Sequence, residues 1–335
     1  MDFTTTDPHL SAHLASRRVV FFGGKGGVGK TTIASATAAA LAATGRRVLV
    51  VSTDPAHNLG HLWDVEVGDT ETDLLTTQGG GAVVGVEVDP DAVAARHLDA
   101  VKETVRGLMP EHLHKEVDRY FRLAAASPGT HEAALLERIS RIALEAQERF
   151  DAVLFDTAPT GHTARLLELP TLMGAWTDGL LQRRDRTEKY ADAMRGLDGR
   201  RGLEGPRTAQ ERRDLRIREV LTERRRIFAD MEALLTDADR CAFVPVLTAE
   251  RMPVLETVQL CRRLAEDRIA VAALVVNRRS PEDAGQALAA RAAAEAGHVE
   301  ELVRQVPDVP VVQVPWVDGE PTGAAAVQAI GGLLG

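Results

Sequence analysis

Short apolar runs and longer amphipathic stretches alternate along this 335-residue chain. Arg17–Gly23, Arg46–Ser52, Val83–Asp89, Asp151–Thr157, Arg240–Thr248 and Ile269–Asn277 are rich in Val, Ile, Leu and Phe, and Asp308–Val314 repeats the pattern. Continuous apolar runs of this length suit strands of a parallel sheet covered on both faces. Between them, apolar residues recur at helical spacing in Thr32–Thr44, Asp91–Met109, Glu111–Ala126, His131–Phe150, Glu250–Asp267 and Pro281–Gln305. The pattern predicts an α/β fold with a doubly wound, mostly parallel sheet and ligands at the carboxyl ends of its strands.

One region breaks the alternation. Thr171 to Asp239 has no strand pattern and contains a Gly/Arg-rich segment, Arg195–Arg207, expected to be a mobile loop. Thr208–Leu235 then reads as one long helix with Leu215, Ile217, Val220, Leu221, Ile227, Phe228, Met231, Leu234 and Leu235 on a face. The expected organisation is a single domain spanning residues 1–335. Its core takes about 17–110, 140–170 and 238–335, and an inserted helical subdomain takes about 111–139 and 171–237. Between Arg183 and Arg226 there are 15 basic and nine acidic residues, a local +6. A solvated helix face explains such a run, and a site for acidic headgroups or an acidic partner is the alternative.

The net charge of −9 argues against bulk nucleic-acid binding, so no nucleic acid is expected as a partner. No stretch approaches the 18 or so apolar residues of a membrane span. The first residues, MDFTTTDPHLSAHLASRR, lack the apolar core of a signal peptide, and the expected location is the cytoplasm, with transient visits to the membrane. The two cysteines, Cys241 and Cys261, form no C-x-x-C, so neither a thiolate zinc site nor an iron–sulfur site is expected from that motif. Both are expected to pack as small hydrophobes.

Candidate chemistry concentrates at strand ends. Gly24, Lys25, Gly26, Gly27, Val28, Gly29, Lys30 and Thr31 satisfy the G-x-x-x-x-G-K-[ST] pattern between the first strand and the first long helix. Such a loop wraps phosphates with backbone N–H groups, and the following helix, from Thr32, turns its positive end to the same anion. Lys30 is placed to reach the β- and γ-phosphates, and the Thr31 hydroxyl to ligate magnesium. After the second strand comes Ser52-Thr53-Asp54-Pro55-Ala56-His57-Asn58-Leu59, where Asp54 is placed to orient a water for in-line attack. After the strand ending at Phe155 comes Asp156-Thr157-Ala158-Pro159-Thr160-Gly161-His162-Thr163. An acid ending an apolar strand is the Walker B arrangement, in which Asp156 holds magnesium directly or through water. The loop around Gly161 is the candidate switch.

Taken together, these blocks resemble the family of the arsenical pump ATPase and the tail-anchored-protein targeting ATPase. Thr248-Ala249-Glu250, Glu256-Thr257, Asn277 and Val314-Pro315-Trp316 match as well, so the resemblance covers nearly the whole chain. It implies a magnesium-dependent ATPase that works as a homodimer, with Lys25 as the signature lysine reaching the partner's nucleotide. By the same resemblance Asp54 positions the attacking water, and Asp54, Pro55, His57 and Asn58 belong to switch I. Asp156, Pro159, Gly161 and His162 belong to switch II. Asn277 is expected to bond the adenine, with Pro315 and Trp316 beside the base, although a strand-end Asn also serves as a turn residue.

The departures bear on the client. The zinc clasp of the eukaryotic targeting ATPases is missing, and the insert offers Met173, Met194 and Met231 rather than a methionine-rich groove; Trp176 and Phe228 line a groove equally well or form a helical core. Trivalent arsenic wants about three thiolates, and one chain has two cysteines. The expected function is ATP-driven binding and delivery of hydrophobic membrane-protein segments, with a transmembrane segment or a membrane receptor or pump as partner. Energising arsenite efflux is the alternative, and a partition or positioning ATPase the second alternative. The apolar ending Gly323-AAAVQAIGGLLG reads as a helix packed on the core rather than a membrane-targeting helix.

Overall fold

The structure is a computed structural model that describes residues 9–54, 58–108, 112, 114–125, 130–157 and 209–335. In chain order, the first half holds α1 (Leu10–His13), β1 (Val19–Gly23), α2 (Lys30–Ala43), β2 (Arg47–Ser52), α3 (Asn58–Trp63), β3 (Thr72–Thr76) and β4 (Ala82–Glu87). Next come α4 (Pro90–Leu108), α5 (His114–Ala125), α6 (Thr130–Glu145), β5 (Ala152–Asp156) and α7 (Ala209–Thr236). The last part holds β6 (Cys241–Thr248), α8 (Arg251–Glu266), β7 (Leu274–Arg279), α9 (Gln286–Gln305), β8 (Val311–Pro315) and α10 (Gly323–Leu334).

The strands form one eight-stranded sheet in the order β3-β4-β2-β5-β1-β6-β7-β8. All neighbours run parallel except β3 and β4. Every residue of β1 and β5 is buried, as a strand covered on both faces requires. Phe21 and Phe155 stack across the β1–β5 pair with ring centroids 4.8 Å apart. The phosphate loop leaves β1 in the middle of this sheet, flanked by β5 and β6, where the carboxyl ends of three strands converge. On one face α10 lies against α2, the helix that follows the loop. A Cβ on Gly331 would come within 2.8 Å of the Ala36 carbonyl oxygen, so the two backbones meet closely because the residues between them are small. The expected terminal helix on the core is therefore present.

Several boundaries differ from the sequence reading. The strand expected at Ile269–Asn277 begins at Leu274, because the preceding residues touch β6 only through the isolated bridge of Phe243 and Val271. Ile269 is apolar because it is packed, not because it is laddered. The helix expected over His131–Phe150 ends at Glu145 and continues as a short tighter turn over Ala146–Glu148. Three elements, α1, β3 and α3, carry no sequence signal. In β3 only Leu74 is buried, since an edge strand packs little of itself, and α3 is too short to show a period.

The chain divides into two compact units, Met1–Pro90, Ile142–Leu167 and Leu234–Gly335 forming one, and Asp91–Arg141 with Glu168–Ala233 the other. The sheet and the phosphate loop belong to the first. In the second, Glu137 of α6 pairs with Arg224 of α7 at 3.2 Å, with Arg141 at 3.2 Å and with His97 of α4 at 3.7 Å. Asp118 of α5 pairs with Lys102 at 3.2 Å and Arg106 at 3.8 Å. Ile227, Phe228 and Met231 are buried as expected, but Val220 is 47% exposed. Arg224, one turn on, is partly buried and pairs with Glu137.

Candidate active site

The geometry of the loop depends on glycine at two places. Gly29 has φ +91°, and a Cβ there would sit 2.4 Å from Asn277 Nδ2. At Gly24 a Cβ would sit 2.0 Å from the carbonyl oxygen of Val246 on β6. The first glycine thus lets β6 approach, and the last admits a side chain from β7.

Lys30 opens α2 and is buried, with Nζ 3.3 Å from the Lys25 carbonyl oxygen. Burial lowers its pKa, while Asp156 and Asp54 act in the opposite direction. Thr31 Oγ1 donates to Asp156 Oδ2 at 2.5 Å, and Asp156 Oδ1 is buried with no hydrogen-bond partner among the described residues. Burial pushes the Asp156 carboxyl up to about 6, with the Thr31 hydrogen bond and Lys30 pulling it down and Asp54 pushing it up. A hydroxyl beside a buried carboxylate with one orphaned oxygen suits a hard dication. The pair Thr31 and Asp156 therefore fits magnesium, which satisfies the oxygen and neutralises the charge that burial disfavours. The Asp156 carbonyl accepts from Thr53 N at 3.0 Å, and Asp54 N lies 3.4 Å from Ser52 Oγ, so the ends of β2 and β5 are locked together.

The signature-lysine position behaves differently. Lys25 is exposed, with Nζ 3.3 Å from Glu256 Oε1 on α8 of the same chain. Thr31 and Asp156 are hydrogen-bonded, Lys30 and Asp54 lie within electrostatic reach of Asp156, and Lys25 is turned to Glu256 instead. Pro55, His57, Pro159, Gly161 and His162 lie outside the described residues, as do Met173, Trp176 and Met194.

A cleft of about 820 Å³ runs from the phosphate loop to the end of β8. Gly27, Gly29, Lys30, Thr31, Thr32, Asn58, Asn277, Pro315 and Trp316 all line it, whereas Lys25, Asp54 and Asp156 are not part of its lining. Asn277 has a further task there. Its Nδ2 donates to the Val28 carbonyl at 2.9 Å, and its Oδ1 accepts from Arg278 N at 2.9 Å. The side chain thus braces the phosphate loop from the neighbouring strand. Trp316 is 49% exposed, and its N–H is held by the Arg279 carbonyl at 2.9 Å.

Sequence reasoning missed His61, Leu62, Arg278 and Arg291, which also line the cleft. Arg278 has φ +59° and donates to the Gly27 carbonyl at 3.0 Å, a second brace on the loop. Behind it, the buried Glu295 accepts from Arg279 at 2.7 Å, from Ser280 N and Oγ at 2.9 and 2.7 Å, and from Arg291 at 3.0 Å. Burial alone would raise that carboxyl, and these donors hold it below the usual range. The available signal was the Asn-Arg-Arg-Ser run closing β7, where charge replaces an apolar pattern at the sheet's carboxyl edge.

Comparison with known proteins adds the family. A family model described as anion-transporting ATPase matches residues 17–335. ATPase ASNA1 homolog 1 of Paramecium tetraurelia is 29% identical over 320 residues, 94% of this chain and 91% of its own length. Putative arsenical pump-driving ATPase 2 of Aquifex aeolicus (strain VF5) is 29% identical over 309 residues, 91% and 95% of the two chains. The arsenical pump-driving ATPase of Acidiphilium multivorum is 31% identical over 317 residues, and those cover 94% of this chain but 48% of that protein. The match runs through the whole sheet and both ends of the cleft: the chain belongs to the anion-transporting ATPase family and is an ATP hydrolase.

Proposed function

We propose that this ATPase is magnesium-dependent, switches between open and closed homodimers with nucleotide, and binds and delivers hydrophobic membrane-protein segments. Two observations support this over arsenite efflux, and the first carries the reading. On α5 of the helical unit, Val117 and Phe121 are buried while Tyr120 and Leu123 are 67% and 65% exposed. An amphipathic helix that also presents large apolar side chains to solvent offers a surface to an apolar client. By contrast, the thiols that a soft metalloid needs are sealed. Burial pushes Cys241 up to about 12 and Cys261 up to about 11, and both side chains are buried away from a metalloid in solution. No described helix is long and apolar enough to cross a membrane.

In the hydrolytic step, water attacks the γ-phosphorus and the bond to the β-bridging oxygen breaks, its electron pair leaving with ADP. Lys30 neutralises charge on the phosphoryl oxygens, in a setting where burial strengthens the interaction. Asp54 orients the water and accepts its proton, and Asn277 with Arg278 keeps the loop's N–H groups in place. Thr31 and Asp156 would hold magnesium, which would supply further charge stabilisation to the phosphoryl group. In the dimer, Lys25 leaves Glu256 and serves the partner's nucleotide; an exposed ion pair costs little to break.

The test is ATP turnover and oligomeric state of the full chain, alone, with a hydrophobic transmembrane peptide, and with arsenite. Peptide capture by an ATP-dependent dimer is the expected result, with turnover lost in Lys25→Ala and restored by mixing it with an Asp54 variant. Stimulation by arsenite alone, abolished by changing either cysteine, would move the assignment to metalloid efflux. ATP turnover that responds to DNA or lipid alone would move it to a partition or positioning ATPase.

A further inference from the structure

We propose that Glu87 is a positioning residue for ATP hydrolysis: its buried carboxylate grips the first turn of α3 and so fixes the helix that lines the phosphate end of the cleft. The proposal rests on the catalytic roles assigned above. Glu87 closes β4 and is paired in register with Ser52, the last residue of β2. Only 5% of it is exposed. Its Oε1 accepts from Leu59 N at 2.8 Å and from Gly60 N at 3.2 Å. At the far end of α3, Trp63 Nε1 donates to Ser35 Oγ on α2 at 3.0 Å. One short helix is therefore pinned at its start to the sheet and at its end to the helix that carries Lys30 and Thr31.

What α3 presents to the cleft explains why this matters. Asn58, His61 and Leu62 line the same cavity as Lys30 and Thr31. The main chain of Val88 donates to the Ser52 carbonyl at 2.9 Å, so the end of β4 also fixes the backbone that leads to Asp54. The other side of α3 borders a second cavity of about 490 Å³, lined by Gly60, Asp64, Val65, Val67 and Glu87 among others. On that side the carboxylate acts together with the following turn, where Val65 N donates to the Gly60 carbonyl at 3.1 Å, while Leu59, Leu62 and Trp63 bury the helix's core face. A buried acid is costly, and an apolar residue at the end of β4 would serve stability as well or better. The two N–H groups that this carboxylate orders are the contacts through which it acts on α3.

The experiment compares Glu87→Ala, Glu87→Gln and Glu87→Asp by three readouts: kcat for ATP, nucleotide affinity, and hydrogen exchange of the 58–63 amides. Both bonds go to one oxygen, so the glutamine carbonyl can replace them. Glu87→Ala is expected to lower kcat at least tenfold and speed exchange of Leu59 and Gly60 at least tenfold, with ATP affinity within threefold. Glu87→Gln is expected to stay within threefold on every readout. Glu87→Asp, shorter by one methylene, is expected to fall between them, and it keeps the test decisive if the alanine variant does not fold. A merely structural role would slow turnover only in proportion to the fraction unfolded. Wild-type kcat or unchanged exchange in Glu87→Ala would overturn the proposal, and so would a glutamine variant as impaired as alanine. If the wild-type protein shows no ATP turnover, the catalytic roles fall, while the exchange data still decide what Glu87 holds.

Discussion

The two ends of the cleft are built on different principles. At the phosphate end, Lys30 and Asp156 are buried, and the loop is braced through backbone carbonyls by Asn277 and Arg278. At the other end, proposed for the base, Trp316 stands half exposed, with Pro315 beside it at the end of β8. The difference follows from the ligand's own halves. Phosphate charge changes during reaction, so its site gains from low dielectric and fixed dipoles. The base does not react, so a stacking surface that admits and releases it is enough.

Mutations separate the two ends most sharply in rate. Lys30→Ala should cut ATP turnover by about a thousandfold or more, because the lost charge acts in a buried site; steady-state phosphate release measures this, and a loss below tenfold would break the comparison. Next is Gly29→Ala, which combines a left-handed backbone with a clash on Asn277. Strain of about 1–3 kcal/mol predicts roughly 5- to 150-fold weaker ATP binding, measurable by equilibrium titration with a fluorescent nucleotide. At the base end, Trp316→Ala should weaken ATP binding by only about fivefold, near the lower limit for stacking of a base, and leave kcat within twofold. A larger effect on kcat than on affinity would show that the base end takes part in the chemistry.

The smallest effect lies in the helical unit. Burial and Arg224 lower the His97 pKa from 6.5, with Glu137 opposing them. As pH falls through 6.5 the unfolded chain therefore takes up the proton before the folded one does. This stabilisation is full above pH 6.5 and drains away below it. The melting temperature should drop between pH 7 and pH 5, and His97→Gln should flatten that slope by a degree or so. Equal slopes in both proteins would assign the acid sensitivity elsewhere.

Legibility in the sequence tracks how local each constraint is. The GKGGVGKT loop, the acid closing β5 and the apolar central strands are contiguous, and each placed its chemistry where the sheet delivers it. Arg278 was missed because its partner, the Gly27 carbonyl, lies 251 residues away in the chain and carries no side-chain signal. Glu87 was missed for the same reason: it binds backbone N–H groups, which every sequence has. Val220 was overread because period alone does not say how far along a helix the packing extends.

By itself, then, the sequence determined the class of fold, the phosphate loop and the acids at strand ends, since those depend on periodicity and on residues adjacent in the chain. Tertiary structure decided the rest. It made Asn277 a brace on the phosphate loop, set Lys25 on Glu256, buried both cysteines and left one Asp156 oxygen without a hydrogen-bond partner among the described residues. Burial and partnership arise only when strands distant in sequence become neighbours, and they set the charge state and reach of every group in the site.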